Sequence, residues 1–451
     1  MNRKNFIKNT TLTAASLAVF PTGNLFASYV DTKVKVAMVG VGLRGQNHLE
    51  LLLKRDDVEV SAICDIDDRM LTAAKELIKQ SGKKMPQIFT GNIYAWKKML
   101  EMKGLDTIII ATPWEWHKEM IIGSLEAGLK YVATEVIIGI TLQDHWDVVR
   151  AAEKYQAHVM MLENVCYRRD VMAILNMVRQ GLFGELIHLQ GGYQHDLREV
   201  KFNDGIHAYG HGCEIGDRAW TEAKWRTQHS VNRNGDLYPT HGIGPIAQYV
   251  NINRGNRFTS LSSFSSKARG LHNHIVNTCG ESHPNAKINF KLGDVVTTSI
   301  NCANGETILL QHDTDLPRPY SLGFRVQGTN GLWMDVNNGI YLEGKSAKPH
   351  QWDDAKTWLD KYDHPLWARW SKDAQGSGHG GMDFYVIHSF IESIKRNAAT
   401  ALDVYDAAAW SAIAPLSERS IELGNQNIEF PDFTNGQWMN RKPIFALNDD
   451  F

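Results

Sequence analysis

The chain has 451 residues, of which 43% are hydrophobic and 22% charged, and its formal net charge is −2. This composition is typical of a globular protein that is too long for one ordinary core, and the balanced charge predicts no binding surface for nucleic acid or an anionic membrane. The sequence has no apolar run of about 18 residues, so we predict no membrane span.

The first 27 residues differ in character from the rest. A short basic segment, Met1 to Lys8, precedes a mildly apolar run from Thr10 to Phe20, and Leu25-Phe26-Ala27 precedes a candidate cleavage point. This order is typical of an export signal, and Arg3-Lys4-x-Phe6-Ile7-Lys8 is similar to a twin-arginine signal with lysine in place of one arginine. We therefore expect an exported, periplasmic protein. The alternatives are an ordinary secretory signal or a disordered tail.

The next stretch has the pattern of a dinucleotide-binding unit. An apolar strand leads into Gly40-x-Gly42-x-x-Gly45, and a helix is predicted from Gln46 to Lys54. The first glycine allows the turn, the second lets backbone approach a pyrophosphate, and the third lets helix and strand pack closely. A second strand, Val58 to Cys64, ends in Asp65, where the Rossmann pattern places the acid that binds the ribose hydroxyls. We therefore predict NAD rather than NADP, the alternative being a purely structural glycine turn.

Strand-like and helical runs alternate as far as Leu162, which predicts a doubly wound parallel sheet with helices on both faces. The further strands are predicted at Asp106–Thr112, Lys130–Thr134 and His158–Leu162, and the helices at Met70–Gln80, Glu115–Ala127 and Leu142–Tyr155. Ligands of such sheets bind at the carboxyl ends of the strands. The polar clusters at those ends are therefore candidates for the site: Trp114 to His117, which includes Trp116, then Glu135, and then Glu163-Asn164.

Beyond Gly184 the pattern changes to alternating strands separated by Gly/Asn/Asp turns, which predicts an open antiparallel sheet with one face available to a ligand or a second subunit. The predicted strands are Leu186–Tyr193, Phe258–Ser265, Val295–Cys302, Thr307–His312, Leu322–Gly328 and Leu332–Val336, followed by helices at Met382–Arg396 and Asp403–Glu422. The predicted class is α/β plus α+β. We expect an export signal at 1–27, a Rossmann domain at 33–165 and a substrate domain at 166–451.

The cysteines and histidines predict no metal. The five cysteines are Cys64, Cys166, Cys213, Cys279 and Cys302, an odd number without any CxxC pair, which defines neither a disulfide framework nor a zinc site. His207, His211, Cys213 and Glu214 lie close together, but their spacing fits no recognised zinc pattern.

The strand, glycine turn, Asp65 and the strand-end Glu135, followed by an antiparallel domain, resemble the Gfo/Idh/MocA family of NAD(P)-dependent sugar and cyclitol oxidoreductases. In that family a lysine usually follows the glutamate and transfers the proton. Val136 stands at this position here. A simple dehydrogenase would lose an effect of about 10²–10⁴ in rate by this change, so Val136 favours different net chemistry on the same cofactor.

Four clusters in one order resemble a narrower family, the NAD-dependent α-N-acetylgalactosaminidases of glycoside hydrolase family 109. The clusters are Trp114-Glu115-Trp116-His117, Glu135-Val136, Leu162 to Tyr167, and Tyr238-Pro239-Thr240-His241. The resemblance implies hydrolysis of terminal α-N-acetylgalactosamine through transient NAD-dependent oxidation at C3, elimination, water addition and re-reduction. It departs at Ile137-Ile138-Gly139, where smaller residues are expected.

The same resemblance assigns roles to residues. It implies that NAD is bound by Leu43, Arg44, Asp65, Trp114, His117, Glu135, Val136 and Asn164. It implies that substrate is bound by Tyr193, Arg226, Tyr238, His241 and Tyr320, with Tyr193 at the C2/C3 face and His241 as a base. Tyr238 and Glu163 are further catalytic candidates. A true sugar dehydrogenase and a sugar-binding protein with a vestigial cofactor fold are the alternatives.

Overall fold

The structure, a computed structural model, describes residues 33–451. The predicted export signal at residues 1–27 lies outside the described residues. Within residues 33–451 no helix is both long and apolar enough to cross a bilayer.

The amino-terminal half forms a six-stranded parallel sheet in the order β3-β2-β1-β4-β5-β6, which is the Rossmann order. Its strands are β1 (Val34–Val39), β2 (Val58–Cys64), β3 (Gln87–Phe89), β4 (Thr107–Ile110), β5 (Tyr131–Thr134) and β6 (His158–Met161). Every residue of β4 and β5 is buried, as expected for parallel strands covered on both faces. The predicted parallel sheet is confirmed.

The helices of this half connect the strands. They are α1 (Leu43–Leu53), α2 (Asp68–Gln80), α3 (Ala95–Met99), α4 (Trp114–Glu126) and α5 (Leu142–Tyr155). The helix α1 begins at Leu43, three residues before the predicted start, because Gly42 is its N-cap. The helix α5 has its predicted bounds, and a capping box between Thr141 and Asp144 fixes its start.

The carboxy-terminal half contains a nine-stranded sheet in the order β14-β13-β12-β11-β7-β10-β9-β8-β15. The strands are β7 (Leu186–Gln194), β8 (Phe258–Ser265), β9 (Val295–Cys302), β10 (Thr307–Asp313), β11 (Arg325–Gly328), β12 (Gly331–Met334), β13 (Gly339–Leu342), β14 (Asp353–Asp354) and β15 (Ile428–Glu429). Neighbouring strands are antiparallel except β7 and β10, which are parallel. The predicted antiparallel class is confirmed with this exception, which arises because β7 lies at the centre of the sheet and the chain returns to it only after β8 and β9.

Nine further helices surround this sheet in the described part of the chain. They are α6 (Arg169–Arg179), α7 (Arg198–Lys201), α8 (Arg226–Asn232), α9 (Thr240–Tyr249), α10 (Gly270–Cys279), α11 (Ala355–Lys361), α12 (Pro365–Ala374), α13 (Met382–Lys395) and α14 (Val404–Glu422). The helix α9 packs on β7 and α14 on β8, so one sheet face is covered. Burial alternates along β9, with every second residue at least partly exposed, which shows that the other face is open.

The last two helices also pack on the Rossmann half. The helix α13 contacts α1, and α14 contacts α5 and β6. One continuous hydrophobic core therefore extends from Val34 in β1 to residues of α14 such as Ile413.

The expectation about cysteines is wrong in one respect. Cys213 and Cys279 form a disulfide across 66 residues, while Cys64, Cys166 and Cys302 are free and buried. The spacing of the two partners along the chain carries no signal, because their proximity depends on where α10 packs in three dimensions.

Candidate active site

A cavity of about 1060 Å³ opens at the carboxyl ends of the Rossmann strands and continues to β7, α8 and α9. It brings together most of the residues that the sequence singled out. The predicted residues that line it are Gly40, Gly42, Leu43, Arg44, Asp65, Trp114, Trp116, Glu135, Val136, Asn164, Tyr193, Arg226, Tyr238 and His241.

The glycine turn has the geometry of a phosphate cradle. Gly40 has φ +82°, and a Cβ there would collide with the carbonyl oxygen of Ala111, while a Cβ on Gly45 would collide with that of Gly40. At Gly42 a Cβ would meet no atom of residues 33–451 within 4 Å, so this side of the turn is open to the cavity. Within the described part of the chain no side chain caps the start of α1, and its first turn has no acid, so its N–H groups and positive dipole are available to an anion.

Asp65 lies at the end of β2 and closes the turn. Its carboxylate accepts hydrogen bonds from the backbone N–H of Val41 (2.7 Å) and Asp67 (2.9 Å). Burial raises the pKa of Asp65, and these bonds partly oppose the shift. A carboxylate at this position fits ribose hydroxyls and disfavours a 2′-phosphate, so the residues present fit NAD.

Arg44 and Glu135 form the charged side of the cavity. The Nε of Arg44 donates to Glu135 Oε1 (2.7 Å), and Nε2 of the buried His48 lies 2.5 Å from the same oxygen. Burial alone would raise the pKa of Glu135, but the charge of Arg44 and the hydrogen bonds hold it well below its usual range. Glu135 is therefore an ionised anchor for Arg44 and not a proton donor.

The Trp114 to His117 cluster occupies the first turn of α4, and its members face different ways. Trp114 and Trp116 line the cavity. His117 is fully buried and does not line it, because its ring nitrogens lie 2.5 Å from the carbonyl oxygen of Ile137 and 2.8 Å from that of Thr112. The structure thus places His117 between the loops after β4 and β5, and its cofactor contact stays a prediction.

Four candidate catalytic residues meet on the far side of the cavity. The ring of Tyr193 lies 4.6 Å from that of Tyr238 and 5.2 Å from that of His241. His241 lies in the first turn of α9, and its Nδ1 donates a hydrogen bond to Oε1 of Glu163 (2.7 Å). Glu163 is fully buried just after β6. This bond fixes the imidazole so that Nε2 is its second, reactive nitrogen.

Tyr193 has a partner that the sequence analysis missed. Its hydroxyl lies 3.0 Å from Nδ1 of His195, which also lines the cavity. Burial raises the pKa of Tyr193 far above its usual value, although the charge of Arg226 opposes this, so the phenol is protonated and donates to His195. Because side chains alternate along a strand, residues 193 and 195 share a side, which was the available signal.

Arg226 and Tyr320 differ in exposure. Arg226 begins α8, pairs with Glu222 (2.6 Å) and lies 5.0 Å from the centroid of Trp114 and 5.3 Å from that of Tyr238. Tyr320 is 49% exposed and does not line the cavity, but its ring contacts His195 at 5.0 Å between centroids. Their predicted roles in substrate binding stay predictions.

A segment of the second half, residues 203–225, covers the Asp65 end of the cavity. The indole N–H of Trp220 donates to Asp67 Oδ2 (2.8 Å), and the guanidinium of Arg69 lies 3.8 Å above the Trp220 ring. Arg69 also donates to the carbonyl oxygen of Gly205 (3.3 Å). No sequence signal indicates this cross-domain clasp.

The histidines of that segment form no cluster of metal ligands. Among residues 33–451 no group of three or more His, Cys, Asp or Glu side chains is arranged to hold a metal. His207 pairs with Asp204 (2.7 Å), Glu214 with Arg218 (2.8 Å), and Cys213 is in the disulfide.

The fold and the site define a Gfo/Idh/MocA-type protein with an NAD-binding Rossmann domain. The model of that oxidoreductase family matches residues 34–163, and that of the C-terminal domain of glycosyl hydrolase 109 matches residues 167–440. The solved structure of a levoglucosan dehydrogenase in complex with NADH and levoglucosan has a similar fold, with a TM-score of 0.64 and 17% identity, covering 89% of this chain and 100% of its own.

Several relatives are similar over nearly the whole length, among them the following two. A glycosyl hydrolase family 109 protein of Stenotrophomonas maltophilia (strain K279a) is 55% identical over 456 residues, covering 100% of this chain and 99% of its own. An alpha-N-acetylgalactosaminidase of Tannerella forsythia is 50% identical over 465 residues, covering 99% of each chain. The chain belongs to glycosyl hydrolase family 109, and its cofactor is NAD. The resemblance seen in the sequence is confirmed.

Proposed function

We propose that the protein is an α-N-acetylgalactosaminidase that releases terminal α-linked N-acetylgalactosamine from glycans. The observation that carries this proposal is the cluster of Tyr193, Tyr238 and His241, which faces the same cavity as the glycine turn, with Glu163 buried behind His241. The named relative from Tannerella forsythia supports the sugar and the bond. Bound NAD would supply a reversible oxidation at C3 of the sugar, which acidifies the hydrogen at C2.

The protein residues would supply position and proton transfer around that chemistry. Arg44, Glu135 and Asn164, with the turn of Gly42, hold the cofactor end of the cavity. The phenol of Tyr193 lines the cavity and can relay a proton: as its oxygen takes the hydrogen from C2 of the sugar, its own proton passes to Nδ1 of His195 at 3.0 Å, so that no free phenolate forms. His241 Nε2, with the charge of Glu163 behind Nδ1, takes a proton from the attacking water.

The aromatic wall excludes bulk water from this exchange. Trp114 and Tyr238 are buried with ring centroids 5.9 Å apart, and the Arg226 guanidinium lies beside both. Val136, at 3% exposure, occupies the position where related dehydrogenases carry a proton-transferring lysine. Proton transfer therefore falls to the Tyr193 and His241 side of the cavity.

The test uses p-nitrophenyl α-N-acetylgalactosaminide and purified protein. We expect nitrophenol release without accumulation of NADH, and a loss of about 10²–10⁴ in turnover for Tyr193→Phe and for His241→Ala, because each loses a proton-transfer group. Tyr249→Phe is the matched control, since Tyr249 is buried and its hydroxyl binds the carbonyl oxygen of Val171 outside the cavity. Steady NADH formation from free sugar would instead identify a sugar dehydrogenase, and unchanged turnover in both variants would remove these assignments.

We also propose that the protein is exported to the periplasm. The disulfide between Cys213 and Cys279 supports this proposal independently of residues 1–27, because such bonds persist mainly in oxidising compartments. Cell fractionation of the full chain and of a chain starting at residue 28 is the test. Full-length protein found only in the cytoplasm would refute export.

We propose that the open face of the second sheet is the surface through which the protein forms homo-oligomers. Among residues 33–451 the alternate residues of β9 on this face are at least partly exposed, and Phe264 on β8 is 55% exposed. Sedimentation analysis of the wild type and of Phe264→Lys tests this. A monomeric wild type would refute it.

A further inference from the structure

Asp383 is a buried carboxylate that no sequence motif indicated. It is the second residue of α13, and its side chain has no exposed surface. It lies 339 residues from Arg44 and 219 from Asn164 along the chain, yet it contacts both. The carboxylate itself does not line the cavity.

Both oxygens of Asp383 are saturated by hydrogen bonds from three residues. Arg44 donates twice, from Nη1 (2.7 Å) and Nη2 (2.9 Å), and Asn164 donates from Nδ2 (2.7 Å). Nδ1 of His379 lies 2.7 Å from Oδ2. Arg44, Asn164 and His379 all line the cavity, so one carboxylate behind the wall orients three groups on it.

The charge on Asp383 is permanent at working pH. Burial would raise its pKa, but the hydrogen bonds from His379 and Arg44 hold it far below the usual range. Arg44 is thereby fixed on both sides, by Glu135 at Nε and by Asp383 at the two terminal nitrogens. A forked, charge-assisted pair of this kind constrains the plane of the guanidinium as well as its place.

The backbone before α13 has an unusual conformation that places His379 and Asp383 side by side. His379, Gly380 and Gly381 all have positive φ, at 52°, 69° and 103°. A Cβ on Gly378 would collide with the carboxylate of Asp383. Left-handed conformations carry a cost for a residue such as histidine, and they tend to persist at sites where function requires them.

We infer that Asp383 is a positioning residue of the NAD site, acting through Arg44 and Asn164, so that a helix of the second half completes the cofactor site of the first. The inference concerns the cofactor alone and holds whichever sugar the enzyme cleaves. Pre-organised contacts of this type matter because a site held by locked neighbours loses less entropy on binding.

The test measures NAD affinity of the NAD-free protein by titration calorimetry, without any substrate. We expect Asp383→Asn to raise the Kd at least tenfold, because an amide cannot accept both Arg44 bonds and also accept from Asn164 and His379. The matched control is Asp406→Asn. Asp406 is also buried near a helix start and binds Arg254 through two hydrogen bonds (2.6 and 2.7 Å), but it lies outside the cavity.

The two variants separate positioning from general destabilisation. We expect Asp406→Asn to lower the melting temperature and to leave the Kd within twofold. A Kd within twofold of the wild type for Asp383→Asn, or equal losses in both variants, would overturn the inference.

A second pair of variants covers the case in which Asp383→Asn does not fold. Asp383→Glu keeps the charge and displaces it by one methylene, so we expect a folded protein that binds NAD several-fold more weakly. A double-mutant cycle combines Asp383→Glu with Arg44→Lys. If Asp383 acts through Arg44, the increase in Kd of the double variant should be much smaller than the product of the increases in the two single variants. Fully multiplicative losses, or unchanged binding in Asp383→Glu, would show that Asp383 does not act through Arg44.

Discussion

His241 and Glu163 form a pair whose parts come from different halves of the chain. Glu163 follows β6 and His241 is the second residue of α9; the hydrogen bond between them is 2.7 Å long, and Glu163 is fully buried. A carboxylate behind an imidazole fixes its tautomer and stabilises the imidazolium that forms when Nε2 takes a proton. In the proposed mechanism, the reactivity of His241 therefore depends on a buried carboxylate that does not contact the substrate.

We predict that Glu163→Gln lowers turnover about 10²–10⁴-fold, because the amide cannot stabilise the imidazolium. NAD affinity should stay at the wild-type value, since Glu163 does not line the cavity. Steady-state kinetics and an NAD titration on the same preparation make the comparison. A loss of less than about threefold would show that His241 works without Glu163.

Asp236 makes the stability of the protein depend on pH. It is buried, one of its oxygens has no hydrogen-bond partner among the described residues, and burial raises its pKa to about 7. The folded state thus binds a proton that the unfolded state, with an ordinary carboxyl pKa, has already released. Stability from this group is lost as the pH rises from about 4 through 7.

Replacement of Asp236 by Asn should therefore stabilise the protein at pH 8 by up to about 4 kcal/mol, because the neutral amide needs no buried charge. The difference should fall steadily toward zero as the pH is lowered to about 4. Urea unfolding of both proteins across this range is the measurement. A difference that is constant with pH would mean that the carboxyl group is not the cause.

The segment from 203 to 225 and the helix α10 form a unit beside the main core. Phe202, Cys213, Ile215, Leu271 and Ile275 belong to a separate buried cluster, and the disulfide joins its two parts. The same segment carries Trp220, which clasps Asp67 at the edge of the cofactor cavity. The covalent link thus secures a wall of the NAD site.

We predict that the double variant Cys213→Ala/Cys279→Ala loses about 2–4 kcal/mol of unfolding free energy, because a closed loop of this length no longer restricts the unfolded chain. NAD should also dissociate faster, since the segment that holds Trp220 is less constrained. Dithiothreitol is the matched control: it should reproduce both effects in the wild type and have no effect on the variant. Equal NAD dissociation rates in the wild type and the variant, each with and without dithiothreitol, would show that the disulfide does not affect cofactor binding.

The two halves of the molecule share one core, although the sequence places them in succession. Ser411 of α14 accepts a hydrogen bond from the backbone N–H of Ile138 (3.3 Å), and the hydroxyl of Tyr131 donates to the carbonyl oxygen of Ala398 (2.9 Å). Trp410 and Ile413 are fully buried. The last helices of the chain therefore complete the hydrophobic cover of the Rossmann sheet.

We predict that a fragment of residues 33–165, the boundary suggested by the sequence, does not fold into an NAD-binding domain. It would expose the surfaces that α13 and α14 cover and would lose Asp383 behind Arg44. Circular dichroism melting and an NAD titration test the fragment against the chain of residues 28–451. A cooperative melt with wild-type NAD affinity would show that the Rossmann half is independent.

The sequence by itself determined the parts of the protein whose physics is local. The glycine turn, Asp65 and the strand-end residues Glu135, Glu163 and Asn164 follow from hydrophobic periodicity, because residues at the ends of parallel strands share one sheet edge. The resemblance of four ordered clusters added the family and the predicted roles of Tyr193 and His241. These predictions required no knowledge of how distant segments pack.

Only the tertiary structure decided the features that join segments far apart in the chain. No local sequence pattern indicates these features. They are the contact of Asp383 with Arg44, that of Trp220 with Asp67, the disulfide between Cys213 and Cys279, and the orientation of the His117 side chain away from the cavity. Each depends on how the shared core places the elements relative to one another. A single carboxylate or cysteine looks the same in the sequence whether or not a distant residue contacts it in the folded protein. The physical reason is that such contacts are fixed by packing, which is a property of the whole chain.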